Sequence, residues 1–269
     1  QNIYYQVGVT SCPSNTVHNN IINKNNILLI FPRMWSSAKK WTGCFITDIP
    51  VDIHLIGGQS NIAPLYIYNT NGNSDQNGND YLFKDQQKKD NFSKEFHKFL
   101  KENKLKDYSP EQILGYIYAI LFSPTYREKY FEFLKIDFPR IPFTKDRALF
   151  EKLSGLGTEL IENHLLKRVY QKNEMPVFAV EGNNEVKQIT YSDDLQRLYI
   201  NKTQYFENFP KSVWDYEIGG YMVFDKYLKA RKDMELSYNE INHIKKVAAS
   251  ISKTIEIQQN IDNLCAMWV

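Results

Sequence analysis

The chain has 269 residues, 42% of them hydrophobic and 14% aromatic, which is enough for one large domain or two small ones. Its 33 lysines and arginines face 31 aspartates and glutamates, so a formal charge of +2 excludes a histone-like polycation. The 3 cysteines form no CxxC pair, so neither a disulfide framework nor a zinc knuckle is predicted.

Residues 1–85 are predicted to form a β-rich part. Short apolar runs, broken by Gly, Pro and Asn, are typical of strands in a small sheet, and they lie at 27–31, 41–47, 51–56 and 62–68. The segment Asn69 to Asp80 (NTNGNSDQNGND) is polar and rich in Asn and Gly, which predicts a surface loop.

Residues 86–175 are predicted to be helical, because capping signals precede apolar residues at helical spacing. Ser109 with Gln112 forms a capping box around a proline at the first helical position. Ser123 and Thr144 are expected to cap the next helices. Gly155 and Gly157 lie inside the last helical pattern, which favours close packing of helices over a phosphate-binding loop.

Residues 176–269 are predicted to mix short strands with a long helix. Gly182 to Asn184 is interpreted as a hairpin turn, and Ser237 with Glu240 as a capping box that opens the long helix. The predicted fold class is therefore α+β: an N-terminal β-rich part, a helical middle, and a C-terminal small β element with a long helix.

No catalytic motif is found. The sequence lacks the Asn/Asp-Pro-Pro-Tyr/Phe tetrapeptide of amino-methylating enzymes, a Gly-rich cofactor loop after a strand, a nucleophile elbow and HExxH spacing among its 5 histidines. No catalytic residue, metal or cofactor is expected in this chain. One alternative stays open: a hydrolase with an unrecognised carboxylate pair near Glu181, Asp193 and Asp194, although adjacent aspartates more simply make a turn.

A basic segment between two predicted strands is the candidate DNA-binding site. Arginine and lysine neutralise phosphates or reach guanine edges, and serine bonds either. The candidate residues are Arg33, Trp35, Ser36, Ser37, Lys39 and Lys40. By composition alone, the alternative that Trp35 and Trp41 anchor the core and that the lysines are merely solvated is favoured.

Several long strings resemble one family, the C-terminal specificity region of single-chain restriction–modification enzymes of the type ISP and type IIG kind. They are residues 116–127 (YIYAILFSPTYR), 133–142 (FLKIDFPRIP), 213–221 (VWDYEIGGY) and 226–229 (KYLK). The resemblance extends from about Asn26 to Asp262. It implies that this chain recognises double-stranded DNA, while covalently linked adenine-N6 methyltransferase and nuclease domains use S-adenosylmethionine and Mg²⁺. Bacterial defence is the role that follows.

Family members read different DNA sequences, so we expect the shared strings to be structural. We predict that Tyr116, Ile120, Tyr130, Leu134, Phe138 and Trp214 are largely buried. The DNA-reading residues are then expected in Met34 to Lys40 and, as the next candidate, in Asn69 to Asp80.

The predicted location is the cytoplasm, because the cysteine usage suits a reducing compartment. No apolar run approaches the roughly 20 residues of a membrane span. A third possible function, besides DNA recognition and hydrolysis, is a protein-interaction module in which the helix from Ser237 to Asp262 docks on another chain.

Overall fold

The computed structural model describes residues 20–22, 24–35, 40–51, 60–68 and 88–265. Two compact units account for these residues. The first falls within Gln1–Ser36, Gly43–Phe122 and Tyr130–Thr158, and the second within Ser37–Thr42, Ser123–Lys129 and Glu159–Val269. The predicted division at 1–85, 86–175 and 176–269 stays a prediction.

The described residues contain the following elements, which confirm the α+β class. The strands are β1 (Leu28–Pro32), β2 (Phe45–Thr47), β3 (Ser60–Pro64), β4 (Tyr66–Tyr68), β5 (Lys88–Asp90), β6 (Val177–Phe178), β7 (Thr190–Ser192), β8 (Arg197–Tyr199), β9 (Tyr205–Glu207), β10 (Glu217–Ile218) and β11 (Tyr221–Met222). The α-helices are α1 (Lys94–Glu102), α2 (Pro110–Phe122), α3 (Pro124–Lys129), α4 (Phe131–Ile136), α5 (Arg147–His164), α6 (Lys211–Trp214), α7 (Val223–Lys229) and α8 (Tyr238–Cys265).

In the first unit, three antiparallel strands form a sheet in the order β2-β1-β3, and β4 pairs with β5 in a separate ribbon. Strand β1 alternates buried and half-buried residues, as the period of two in its sequence requires. Leu28, Ile30 and Pro32 form its buried face. This alternation fixes the register, because a slip of one residue would expose the apolar set.

Helices α2 and α5 approach each other closely at two glycines. A Cβ atom added to Gly157 would lie 1.7 Å from the carbonyl oxygen of Gly115, which leaves no room for any side chain. Ser154 supports the contact, since its hydroxyl donates to the carbonyl oxygen of Gln112 at 2.7 Å. Close helix packing is thus confirmed for Gly157, whereas a Cβ at Gly155 would meet nothing within 4 Å.

Tyr116 on α2 connects this helix pair to the chain that follows α4. Its ring stacks on Phe143 and Phe150 at centroid distances of 5.0 and 4.7 Å. Its hydroxyl donates to the carbonyl oxygen of Pro142 at 2.7 Å and accepts from the backbone N–H of Thr144 at 3.1 Å. The extended connector before α5 is therefore tied to the core at its C-terminal end.

The burial prediction for the shared strings is only partly right. Tyr116 and Ile120 are fully buried and Leu134 is 2% exposed, while Tyr130 and Trp214 are half-buried. Phe138 was predicted to be buried, and this is wrong: it is 42% exposed. The reason is that Phe138 lies outside the ring stack, where its contacts are an edge-on packing against Phe31 and a nearby guanidinium.

The capping predictions hold except at α5. Ser109 and Gln112 exchange their hydrogen bonds at 3.2 and 2.9 Å, and Ser123 caps α3 by accepting from the N–H of Tyr126. At α5 the cap is Asp146 rather than Thr144, because its carboxylate accepts from the N–H groups of residues 148 and 149. A carboxylate at this position also interacts favourably with the positive end of the helix dipole.

The second unit has its own core, in which a sheet in the order β6-β9-β8-β7 packs with α7 and α8. The capping box that opens α8 is confirmed, and the N–H of Ser237 together with Arg231 holds the pKa of Glu240 at about 2. The apolar stripe of α8 is buried in this core, including Ile244, Ala248 and Ile251. None of the described helices is long and apolar enough to cross a membrane.

The predicted hairpin turn at Gly182 to Asn184 is wrong. Strand β6 pairs with β9 instead, and the segment packs on the buried side-chain amide of Gln204. That amide donates to the carbonyl oxygen of Val180 and to Asn184, and it accepts from Asn184 and Asn201, all at 2.8–3.1 Å. The conformation of this segment is therefore fixed by the four hydrogen bonds of a buried amide and not by a local turn.

The α2–α5 contact gives a first prediction. Gly157→Ala should destabilise the fold by about 1–3 kcal/mol, because the new methyl group forces two helix backbones apart. Gly155→Ala, two residues away on the same helix, should stabilise it by about 1 kcal/mol, since alanine is the better helix former. Chemical denaturation of both variants tests this, and equal effects would contradict the contact.

The Gln204 network gives a second prediction. Gln204→Leu should destabilise the fold by about 1–3 kcal/mol, because buried partners lose their hydrogen bonds. The matched control is Gln188→Leu at an exposed position, which should stay within about 0.5 kcal/mol of wild type. Thermal unfolding measures both, and a Gln204→Leu variant as stable as the control would refute the assigned role of the amide.

Candidate nucleic-acid interface

Arg33 follows β1 directly and presents its guanidinium at the surface of the first unit. Its side chain is 67% exposed and lies 3.9 Å from the carboxylate of Asp137. The guanidinium also lies 5.7 Å from the ring centroid of Phe138. An ion pair this long and this exposed contributes little to stability, so the fork of N–H donors stays available to a ligand.

Trp35 fixes the backbone on which Arg33 stands. Trp35 is only 7% exposed, and its backbone N–H donates to the carbonyl oxygen of Lys135 at 3.1 Å. Gly43 packs against it, since a Cβ there would lie 3.0 Å from the indole and 2.7 Å from Pro32. A buried indole offers no surface to DNA, so the structure favours the core-anchor interpretation of Trp35.

The surface around Arg33 includes residues that the sequence reasoning left out. The side chain of Arg140 is 92% exposed and lies 3.9 Å from Asp137, so two arginines flank one carboxylate. Phe133 and Ile136 on α4 are exposed as well (69% and 68%), and so is Met34 (71%), which belongs to the segment already predicted to read DNA. For Phe133, Ile136 and Arg140 the sequence signal is the family string 133–142, which is predicted to be structural.

Lys40 belongs to the second unit and is exposed. The residue after it, Trp41, is 2% exposed and lies 5.5 Å from the guanidinium of Arg127. Thr42 then accepts a hydrogen bond from the N–H of Gly219 at 3.1 Å. Lys40 therefore precedes two fixed residues: Trp41, which is buried, and Thr42, which is hydrogen-bonded to the β10–β11 hairpin.

That hairpin is the third family string in three dimensions. Its two central glycines have φ of +62° and +82°, which a two-residue turn of this kind requires and which glycine adopts without strain. Tyr221 is 59% exposed beyond the turn, and the ammonium of Lys226 lies 3.9 Å from its ring centroid. The segment Lys40 to Thr42 and the β10–β11 hairpin, with its exposed Tyr221, therefore belong to one unit.

Other parts of the candidate site fall on residues without a description. Ser36, Ser37 and Lys39 lie outside the described residues, as does the loop from Asn69 to Asp80. Their assignment to DNA contacts stays a prediction.

The cleft that Glu181 lines does not include Asp193 or Asp194, the other carboxylates of the hydrolase alternative. Asp193 and Asp194 form the turn between β7 and β8, in which the N–H of Gln196 donates to the carbonyl oxygen of Asp193. Glu181 lines an open cleft of about 560 Å³ beside Tyr238 and Lys245, and it is the only acid among the residues of that lining. Across the described ranges, no cluster of three or more His, Cys, Asp or Glu residues is placed to hold a metal.

The fold has counterparts among solved DNA complexes, two of them of type ISP restriction–modification enzymes. It is similar to the ATP-dependent type ISP enzyme LlaBIII bound to DNA (22% identity, TM-score 0.65, covering 88% of this chain and 16% of that chain). It is also similar to a nuclease-deletion mutant of the type ISP enzyme LlaGI in complex with a DNA substrate mimic (19% identity, TM-score 0.61, covering 91% of this chain and 18% of that chain). A third similar structure is a DrdV–DNA complex solved by cryoEM (19% identity, TM-score 0.62, covering 88% of this chain and 24% of that chain).

The chain spans about a fifth of the length of these proteins, from 16% to 24%. A search of curated proteins found no match. The family model of the type ISP C-terminal specificity domain matches residues 1–260. Because that match takes in nearly the whole sequence, including every segment described above as a candidate contact, the chain belongs to the type ISP C-terminal specificity domain family.

Proposed function

We propose that this chain recognises double-stranded DNA by its sequence and thereby positions the methyltransferase and nuclease domains of a longer restriction–modification enzyme. The observation that carries the proposal is membership of the specificity-domain family across residues 1–260. The similar solved structures are of DNA-bound enzymes, which supports the same assignment.

Arg33 is the residue best suited to read a base. A planar guanidinium matches the two acceptors that guanine presents in the major groove, and such a fork discriminates against other bases by about 1–3 kcal/mol. Its exposure, and a carboxylate no closer than 3.9 Å, support this role. Arg140 stands on the same surface and has the same chemistry.

Lys40, Lys39, Ser36 and Ser37 are assigned to the phosphate backbone. Lysine is a compact point charge and serine donates to phosphate oxygens, so these residues fix position and add little base choice. The role of Trp35 in this proposal changes from contact to support, because its ring is buried.

Catalysis belongs to other parts of the longer enzyme under this proposal. S-adenosylmethionine would be used by the methyltransferase domain and Mg²⁺ by the nuclease domain, with adenine N6 as the methylated atom. The cytoplasm is the compartment in which such an enzyme meets invading DNA, which fits a role in bacterial defence.

Hydrolysis is the weaker candidate on geometric grounds. A paired-acid mechanism needs two carboxylates on one reacting bond, and the cleft beside Glu181 contains one. Protein docking through α8 is weaker too, because the apolar stripe of that helix is already buried in the core of its own unit.

A selection experiment tests the proposed function directly. The chain is incubated with duplexes of randomised sequence, and the bound fraction is sequenced after several rounds. We expect one short motif to be enriched, because base-edge contacts favour one sequence over the many others. Binding without any enriched motif, or no binding at low salt, would overturn the proposal and would not depend on which residues make the contact.

The enriched duplex then tests Arg33. Arg33→Ala should relax the choice at one motif position at a cost of about 1–3 kcal/mol, whereas Lys40→Ala should weaken all sequences alike and lower the salt slope by about one. The matched control is Arg147→Ala, an arginine of similar exposure (61%) that pairs with Glu151 on the same unit. An Arg33→Ala variant that behaves like this control removes Arg33 from the interface.

A further inference from the structure

Two segments distant in sequence bring lysines and tyrosines together on one face of the β4–β5 ribbon. The strands pair antiparallel, with Tyr68 opposite Lys88. Since side chains alternate along a strand, Tyr66, Tyr68 and Lys88 share a face. Lys24, which precedes β1, reaches the ring of Tyr68. We call this set of four residues the ribbon face.

Each lysine of the ribbon face is held over an aromatic ring. The ammonium of Lys88 lies 4.0 Å from the ring centroid of Tyr66, and that of Lys24 lies 5.3 Å from the centroid of Tyr68. The negative face of an aromatic ring attracts a cation, so both ammonium groups are restricted in position while they keep their N–H donors. Within the part of the chain that the structure describes, neither forms an ion pair.

The backbone beneath the ribbon face is fixed by buried amides. Asn26 is 3% exposed; it donates to the carbonyl oxygen of Tyr66 at 2.8 Å and accepts from the N–H of the same residue at 3.1 Å. Asn20 accepts from the N–H of Tyr68 at 2.6 Å. The hydroxyl of Tyr68 donates to the carbonyl oxygen of Asn25, next to Lys24, at 2.9 Å. The position of Lys24 relative to the ribbon is therefore set by four hydrogen bonds.

One carboxylate, that of Asp90, lies on the ribbon face itself, opposite Tyr66, and a second, that of Glu111, lies beside it. Each has another partner. Asp90 is hydrogen-bonded to the ring of His97 at 2.8 Å, and Glu111 accepts from the hydroxyl of Tyr66 at 2.5 Å. Burial works against ionisation of Glu111, yet the Tyr66 hydrogen bond and the charge of Lys88 hold its pKa below the usual value. Lys89, exposed on the opposite side of the ribbon, adds a further positive charge.

We propose that the ribbon face binds the phosphate backbone of nucleic acid. The inference rests on the proposed function and adds to it a contact that supplies affinity and no base choice. An ammonium suits this task, because it is a point charge with three rotatable donors and needs no planar partner. The position is also suitable, because β4 ends at Tyr68, one residue before the predicted reading loop begins.

The test uses fluorescence anisotropy with a labelled DNA duplex of arbitrary sequence, titrated with the chain over a series of salt concentrations. Lys24→Ala and Lys88→Ala should each weaken binding and lower the slope of log affinity against log salt by about one, and the double variant by about two. Lys24→Arg and Lys88→Arg keep the charge and should stay near wild type. The matched control is Lys152→Ala, an exposed lysine on α5 of the same unit.

The outcomes separate this inference from the proposed function. If the wild-type chain binds duplex and enriches a motif but both alanine variants keep its salt slope, the ribbon face is not a phosphate site and the proposed function stands. If the variants alter the enriched motif rather than overall affinity, the lysines read bases and the inference is overturned as well. If the wild type binds no duplex at all, the proposed function itself fails. Circular dichroism of each variant checks that a loss of binding is not a loss of fold.

Discussion

The backbone contact between Gly115 and Gly157 is the constraint on which the first unit depends. It brings α2 and α5 close enough for Tyr116 to stack between Phe143 and Phe150, and the hydroxyl of Tyr116 then ties down the connector at Pro142. At its other end the connector follows α4. In the last turn of α4, the carbonyl oxygen of Lys135 accepts from the backbone N–H of Trp35. The connector and α4, which contact the backbone of Trp35, are thus tied to a contact between two residues without side chains.

A net charge of +2 means that any attraction for DNA must come from where the charges stand. The described cations near the candidate surfaces are held in two ways. Arg33 and Arg140 flank a single carboxylate at 3.9 Å, and their side chains are 67% and 92% exposed. Lys24, Lys88 and Lys226 lie over tyrosine rings, which restrict an ammonium without neutralising it. Such placement gives local positive surfaces in a nearly neutral protein.

Sequence reasoning was accurate where the physics is local and failed where a distant side chain decided the conformation. The capping boxes at Ser109 and Ser237 form as predicted, because a cap depends on residues three positions apart. The turn predicted at Gly182 does not form, since Gln204, some twenty residues away, supplies the hydrogen bonds that a hairpin would have made. Phe138 has an apolar, core-like sequence context, yet the ring stack is complete without it and it stays at the surface.

The sequence by itself determined the α+β class, the capped starts of α2, α3 and α8, the family and the absence of a familiar catalytic motif, because these depend on periodicity, short spacings and long shared strings. Only the tertiary structure decided that Trp35 supports while Arg33 is presented, and that Arg140 joins the same surface. It alone brought Lys24 onto the ribbon that carries Lys88. The physical reason is that burial and charge proximity are properties of segments far apart in sequence, and no local pattern records which of them will meet.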